Sequence, residues 1–142
     1  MNACTTYALG YIQKYPKTVY ELRQLLRKKG FSPEDTDEAV AYLEKNKYVD
    51  DRLYCVLYLT SEVGRKGKPL LLIEGKLRQR GVEKEVIAQV RDELEEELTE
   101  GMTRKIEKLL DSYGRTPQGV QKITAKGYPY ELVKKLLEPT EE

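Results

Sequence analysis

Leu25-Leu26-Arg27-Lys28-Lys29-Gly30-Phe31 decides the fold, because the chain states the same plan twice more. The second statement is Lys76-Leu77-Arg78-Gln79-Arg80-Gly81-Val82. The third is Lys122-Ile123-Thr124-Ala125-Lys126-Gly127-Tyr128. Each places an aliphatic residue four positions before a glycine, a cation just before it and an apolar residue just after it. Glu34, Glu85 and Glu131 follow their glycines by four positions in all three. A cation at a helix C-terminus meets the negative end of the macrodipole. Glycine takes the left-handed conformation that closes the last turn, and the apolar residue folds back. An acid in the first turn of the next helix then suits that helix's positive end. The motif is therefore a helix, a tight turn and a second helix.

The surroundings extend this to three-helix units. Tyr7, Ala8, Tyr11, Ile12 and Tyr15 form a stripe at helical spacing, as do Leu53, Tyr54, Leu57 and Tyr58. Met102, Ile106, Leu109, Leu110 and Tyr113 do so again. Thr18-Val19-Tyr20-Glu21 is a capping-box pattern, and Ser32-Pro33-Glu34-Asp35 is a helix start. These signals predict helices near 6–15, 18–29, 33–46, 51–63, 70–80, 84–98, 101–113, 118–126 and 130–138. No stretch alternates apolar and polar residues over a useful length. The expected fold is all-α, with three tandem helix-turn-helix-like repeats over 1–51, 52–98 and 99–142 forming an elongated, curved molecule. Pro139-Thr140-Glu141-Glu142 is expected to fray.

Composition narrows the function. Charged residues make up 35% of the chain and its formal net charge is only +1. A neutral total can hide basic and acidic faces: Lys17 to Gly30 and Arg65 to Arg80 are basic, whereas Asp92 to Glu100 is acidic. The absence of histidine removes the commonest general base and metal ligand. No catalytic or metal site is expected, and no cofactor. Asp50-Asp51 reads as the N-cap and first-turn acid of the fourth helix. Gly64-Arg65-Lys66-Gly67-Lys68-Pro69 lacks the spacing of a phosphate-binding loop, leaving a flexible basic linker able to touch phosphate backbone. Cys4 and Cys55 form no close-spaced motif and read as reduced cytoplasmic thiols. No secretion signal or membrane span is evident.

The candidate binding residues are cations. Arg23 and Arg27, Lys76 and Arg80, and Lys122 and Lys126 are pairs spaced four apart, each on the second helix of its unit. Lys28 and the loop cations Arg65, Lys66 and Lys68 complete the set. A solvated face carrying ordinary surface pairs is the competing reading. The abundant tyrosines read mainly as semi-buried core: Tyr7, Tyr11, Tyr15, Tyr42 and Tyr54 fit helical stripes.

Specific residues carry a family likeness. Tyr7-Ala8-Leu9 with Tyr20 to Phe31 resembles the first repeat of the RecX family. Val40, Leu43 and Tyr48-Val49-Asp50-Asp51-Arg52-Leu53 resemble its helix and acidic turn. Arg65 to Pro69, followed by Ile73, Leu77 and Arg80-Gly81-Val82, resembles its basic loop and second repeat. Lys76 departs from the Glu often found before Leu77, and Leu53-Tyr54 from a Phe-Ala-like pair. The resemblance is specific over about residues 7 to 94; beyond, repeat spacing alone supports it.

This resemblance implies a non-enzymatic cytoplasmic regulator, expected to be monomeric, that lodges in the groove of the RecA filament. It implies suppression of ATP hydrolysis, filament growth and strand exchange in recombination and repair. Single- or double-stranded DNA is an expected partner alongside RecA; a membrane is not. A stand-alone DNA-binding protein and a helical scaffold without nucleic acid remain alternatives. Acids on the third helices, Glu34, Asp35, Asp37 and Glu38 in the first unit, oppose deep groove insertion.

Overall fold

In the computed structural model, which describes residues 1–138, nine α-helices follow one another and no strand occurs among the described residues. They are α1 (Ala3–Lys14), α2 (Val19–Lys28), α3 (Pro33–Lys45), α4 (Asp51–Leu59), α5 (Leu70–Gln79), α6 (Lys84–Glu93), α7 (Glu95–Tyr113), α8 (Pro117–Ala125) and α9 (Tyr130–Leu137). A π-helical segment, Thr60–Arg65, continues α4. The expectation for Pro139–Glu142 lies outside the described residues. By compactness the chain forms two units: Met1–Cys55 with Leu77–Ile87, and Val56–Lys76 with the chain from Ala88 on.

In the first unit, Asn2 opens α1, three residues earlier than expected, by accepting the Thr5 amide at 2.7 Å. The Thr18 capping box forms as its spacing predicts. The Thr18 hydroxyl also donates to the carbonyl of Arg80, at the C-terminal end of α5. One buried side chain thus satisfies backbone groups at the ends of two helices. Asp51 adds a third tie by accepting the Val19 amide at 2.9 Å. Ser32 caps α3, with Pro33 at its first position.

The core of this unit is Cys4, Ala8, Ile12, Leu22, Leu26, Ala39, Val40, Leu43 and Val49, with Tyr7 and Phe31 packed against its edge. Leu22, Leu26 and Leu43 are fully buried, each contributing about 1.5–3 kcal/mol from apolar burial.

The glycine motif has the geometry its residues dictate. Gly30, Gly81 and Gly127 have φ of 93°, 86° and 110°. The amides of Phe31 and Val82 reach back to the carbonyls of Leu26 and Leu77, five residues earlier, as a left-handed closing residue requires.

The second unit is built on α7, against which the π segment, α8 and α9 pack. Leu98, Met102, Ile106 and Leu110 line its buried face. The π segment holds Lys66 N–H to Ser61 C=O at 3.1 Å, one residue wider than an α-turn. Gly101 of α7 meets it directly: a β carbon there would overlap the carbonyl oxygens of Val63 and Gly64. Arg104 donates to the Gly64 carbonyl at 2.7 Å, and the Tyr128 hydroxyl donates to the Gly67 carbonyl at 2.6 Å.

Two boundaries differ from expectation. Helix α6 stops at Glu93 and α7 starts at Glu95, so the break falls at Leu94 instead of at 99–100. Glu95, Glu96 and Glu97 consequently occupy the first turn of α7, where the macrodipole favours them. Gly101 therefore lies inside a helix, not at its start.

Candidate functional site

The candidate cations divide by what they touch. In the first unit, Arg23 pairs with Asp37 at 2.6 Å across the α2–α3 turn. Arg27 and Lys28, one turn on, are exposed and form no ion pair among the described residues. Lys29 sits 5.6 Å from the centre of the Tyr7 ring. Arg80 is half-buried and donates to the Tyr54 hydroxyl. Its side chain thereby helps hold α5 against α4, while its carbonyl receives Thr18.

In the second unit, the stretch 64–69 is not a loose linker. It is anchored through the carbonyls of Gly64 and Gly67 to Arg104 and Tyr128. Arg65 donates to the Ser61 hydroxyl at 3.0 Å. Lys66 and Lys68 both turn onto Glu62, at 2.8 and 2.6 Å. These two ammonium donors pull the Glu62 carboxyl down to about 2. The three groups together carry one positive charge, which weakens the field this turn presents. The four-residue spacing of Glu62 and Lys66 is the one local signal of this compensation; the approach of Lys68 has none.

Lys76 is exposed and without an ion pair among the described residues. Lys122 and Lys126 share a face of α8, as their spacing requires. Both ammonium groups approach the ring of Tyr113 at the end of α7, at 5.6 and 5.7 Å from its centre. The lysine pair was legible in the sequence; the ring from another helix was not. Tyr113 holds the two charges together through the negative face of its ring.

Two further clusters of charge are internally matched. Glu74, buried on α5, accepts from Arg91 at 3.1 Å. Arg115 bridges Glu107 and Asp111 at 2.8 and 3.0 Å. Of the candidates, Arg27, Lys28, Lys76, Lys122 and Lys126 are exposed and make neither an ion pair nor a side-chain hydrogen bond among the described residues.

Groups that could support chemistry have structural tasks. Asp50 accepts the Leu53 amide at 3.1 Å and so caps α4. The carboxyl of Asp51 is raised above its ordinary range, chiefly by burial and against the opposing pull of the Val19 amide. Cys4 and Cys55 are both buried and are not joined in a disulfide. Burial pushes the Cys4 thiol up, which disfavours the nucleophilic thiolate. No group of three or more acids or cysteines suited to a metal ion occurs among the described residues. No helix among them is long and apolar enough to cross a membrane.

Comparison with known proteins places this arrangement. The family model described as RecX, first three-helix domain, matches residues 4–43. The regulatory protein RecX of Amycolatopsis mediterranei is 32% identical over 123 residues, covering 82% of this chain and 70% of that relative. The chain belongs to the RecX family. RecX of Lactobacillus johnsonii is 31% identical over 133 residues, covering 91% of this chain and 45% of the relative, so the chain spans less than half of that protein. The fold is that of the crystal structure of RecX from Lactobacillus salivarius: the TM-score is 0.81 at 18% identity, over 94% of this chain and 92% of that one. Family membership makes this a regulatory protein by kinship. The matched first domain comprises α1, α2 and most of α3, where Arg23, Arg27 and Lys28 lie.

Proposed function

We propose that this chain is a non-catalytic regulator of the RecA–DNA filament, lowering its ATP hydrolysis, growth and strand exchange in recombination and repair. In this reading it works in the cytoplasm as a monomer without a cofactor. It would meet the filament through three helical modules, 1–51, 52–98 and 99–142. The observation that carries the reading is the repeated glycine-closed helix whose C-terminal turn presents exposed cations. Arg27 and Lys28 end α2, and Lys122 and Lys126 end α8, each beside a turn of one design. Lys76 adds an exposed charge on the equivalent helix α5. Such groups suit contacts to phosphate and to acidic protein surface, which position a partner without reading base sequence.

Arg23, Arg65, Lys66, Lys68 and Arg80 contribute less directly, because each already holds an internal partner. The test is the DNA-dependent ATPase of RecA, titrated with the protein. Inhibition is expected, and Arg27→Glu with Lys28→Glu should weaken it without unfolding the protein. No inhibition at several-fold excess over RecA would refute the reading. A footprint on one duplex sequence without RecA would favour a stand-alone DNA-binding protein.

A further inference from the structure

Helix α1 carries a surface that neither its packing nor the cation pairs explain. Residues 1–20 hold four tyrosines and two lysines but none of the chain's 24 acids; the first acid is Glu21. Tyr7, Tyr11 and Tyr15 recur at every fourth residue, and their tilted rings meet in a row along the helix. Their ring centres are 6.3 and 5.1 Å apart, and Phe31 extends the row at 5.8 Å from Tyr7. The inner end leans on the core, but Tyr15 is 56% exposed at the outer end. Beside the row runs an open groove of about 400 Å³, with Gly10 and Lys14 among its walls.

Gly10 is the second, independent observation. It lies inside a helix, where glycine is a poor choice relative to alanine. Apart from its chain neighbours and its own helix backbone, nothing lies within 4 Å of where its β carbon would stand, and its φ is not positive. The fold does not require glycine there. What the missing side chain does is leave the groove floor bare between two tyrosines.

The charges nearby favour one class of occupant. Lys14 lines the groove, and Lys29 stands over Tyr7. The acids nearest α1 lie toward its start or are occupied: Glu38 accepts from Asn2, Asp35 stands near Cys4, and Glu21 closes its own capping box. Aromatic rings in a row, flanked by cations and with no acid among the groove's lining residues, are the chemistry that holds unpaired bases and their phosphates.

We propose that the α1 groove is a stacking site for single-stranded nucleic acid, with Tyr15 and Tyr11 as base platforms and Lys14 and Lys29 toward phosphates. It is separate from the cation pairs on the second helices, and its test needs no RecA. Fluorescence anisotropy of a labelled oligothymidylate at about 50 mM salt, where phosphate contacts are strong, measures the affinity. Tyr15→Ala should weaken binding roughly tenfold, the scale of one lost stacking platform. Tyr15→Phe keeps the ring and should bind as the parent does. Gly10→Leu fills the groove floor with a better helix former; it should melt no lower than the parent yet bind roughly tenfold more weakly.

Parent-like affinity in Tyr15→Ala or in Gly10→Leu overturns the proposal, as does failure of the parent to bind the oligonucleotide. If these variants instead lose only inhibition of RecA, the face contacts protein and the nucleic-acid site is refuted. Inhibition of RecA by a parent that does not bind the oligonucleotide would refute the site and leave the regulatory reading intact.

Discussion

Replacing Gly101 with alanine should loosen the second unit by about 2–4 kcal/mol, although the change improves helix propensity. Inside α7 the substitution alone would stabilise by about 1 kcal/mol. The added methyl, however, falls onto the carbonyl oxygens of Val63 and Gly64, which are backbone atoms of the π segment and cannot rotate away. Overpacking of this kind typically costs about 1–3 kcal/mol. Moving the π segment off α7 also stretches the bond from Arg104 to Gly64, a charged donor worth about 1.5–3 kcal/mol, and that from Tyr128 to Gly67, worth about 1 kcal/mol. Both bonds need not be lost completely, so the sum lies below the total of these parts. Urea unfolding followed by far-ultraviolet circular dichroism measures the difference, and the melting temperature should fall on the order of 10 °C. Native-state hydrogen exchange should show the amides of Lys66 to Lys68 opening first. A variant as stable as the parent, or more so, would refute the claim that close backbone approach, and not helix propensity, selects glycine here.

Glu62 gives a pH dependence. Its folded carboxyl lies well below the ordinary value of 4.5, so its contribution is present above pH 4.5 and is lost as pH falls toward about 2. Glu62→Gln should be less stable than the parent at pH 7, and the two should converge near pH 2 in urea titrations. The bond from Arg80 to Tyr54 should make Arg80→Ala costly by about 1.5–3 kcal/mol, whereas exposed Arg27→Ala should change stability by less than about 0.5 kcal/mol. A double-mutant cycle of Arg80→Ala with Tyr54→Phe should show coupling; additive effects would deny the bond. If Arg27, Lys28, Lys76, Lys122 and Lys126 contact about five phosphates, duplex affinity should fall several-hundredfold between about 50 and 200 mM salt. A flat titration would point to a scaffold that binds protein alone.

The helices were legible because their ends are written in local chemistry. Thr18 with Glu21, Ser32 with Pro33, and the three cation–glycine–apolar turns each act within a few residues. Their outcomes match in capping bonds and in positive φ. What escaped reading depends on distant contacts. A π-helical turn has no apolar period of its own, and Gly101 declares its role only beside Val63 and Gly64. The same holds for the candidate site. Arg27, Lys28, Lys76, Lys122 and Lys126 remain exposed, but spacing alone did not show that Lys66 and Lys68 share Glu62, or that Arg80 serves Tyr54. Tyr15 and Tyr42, read as semi-buried, are 56% and 38% exposed, because a helical stripe one residue wider than the core leaves its margin in water.

The wide turn at Thr60–Arg65 also sets an angular phase. Deleting one residue there would let ordinary α-helical winding run straight through, with every hydrogen bond satisfied and the helix unbroken. Each residue past the deletion would nevertheless swing by roughly 100° about the axis and retreat about 1.5 Å. The carbonyl now offered to Arg104 would then face elsewhere. In this segment chain length is thus as stringent a constraint as side-chain identity, and a conservative-looking deletion would be more damaging than most substitutions.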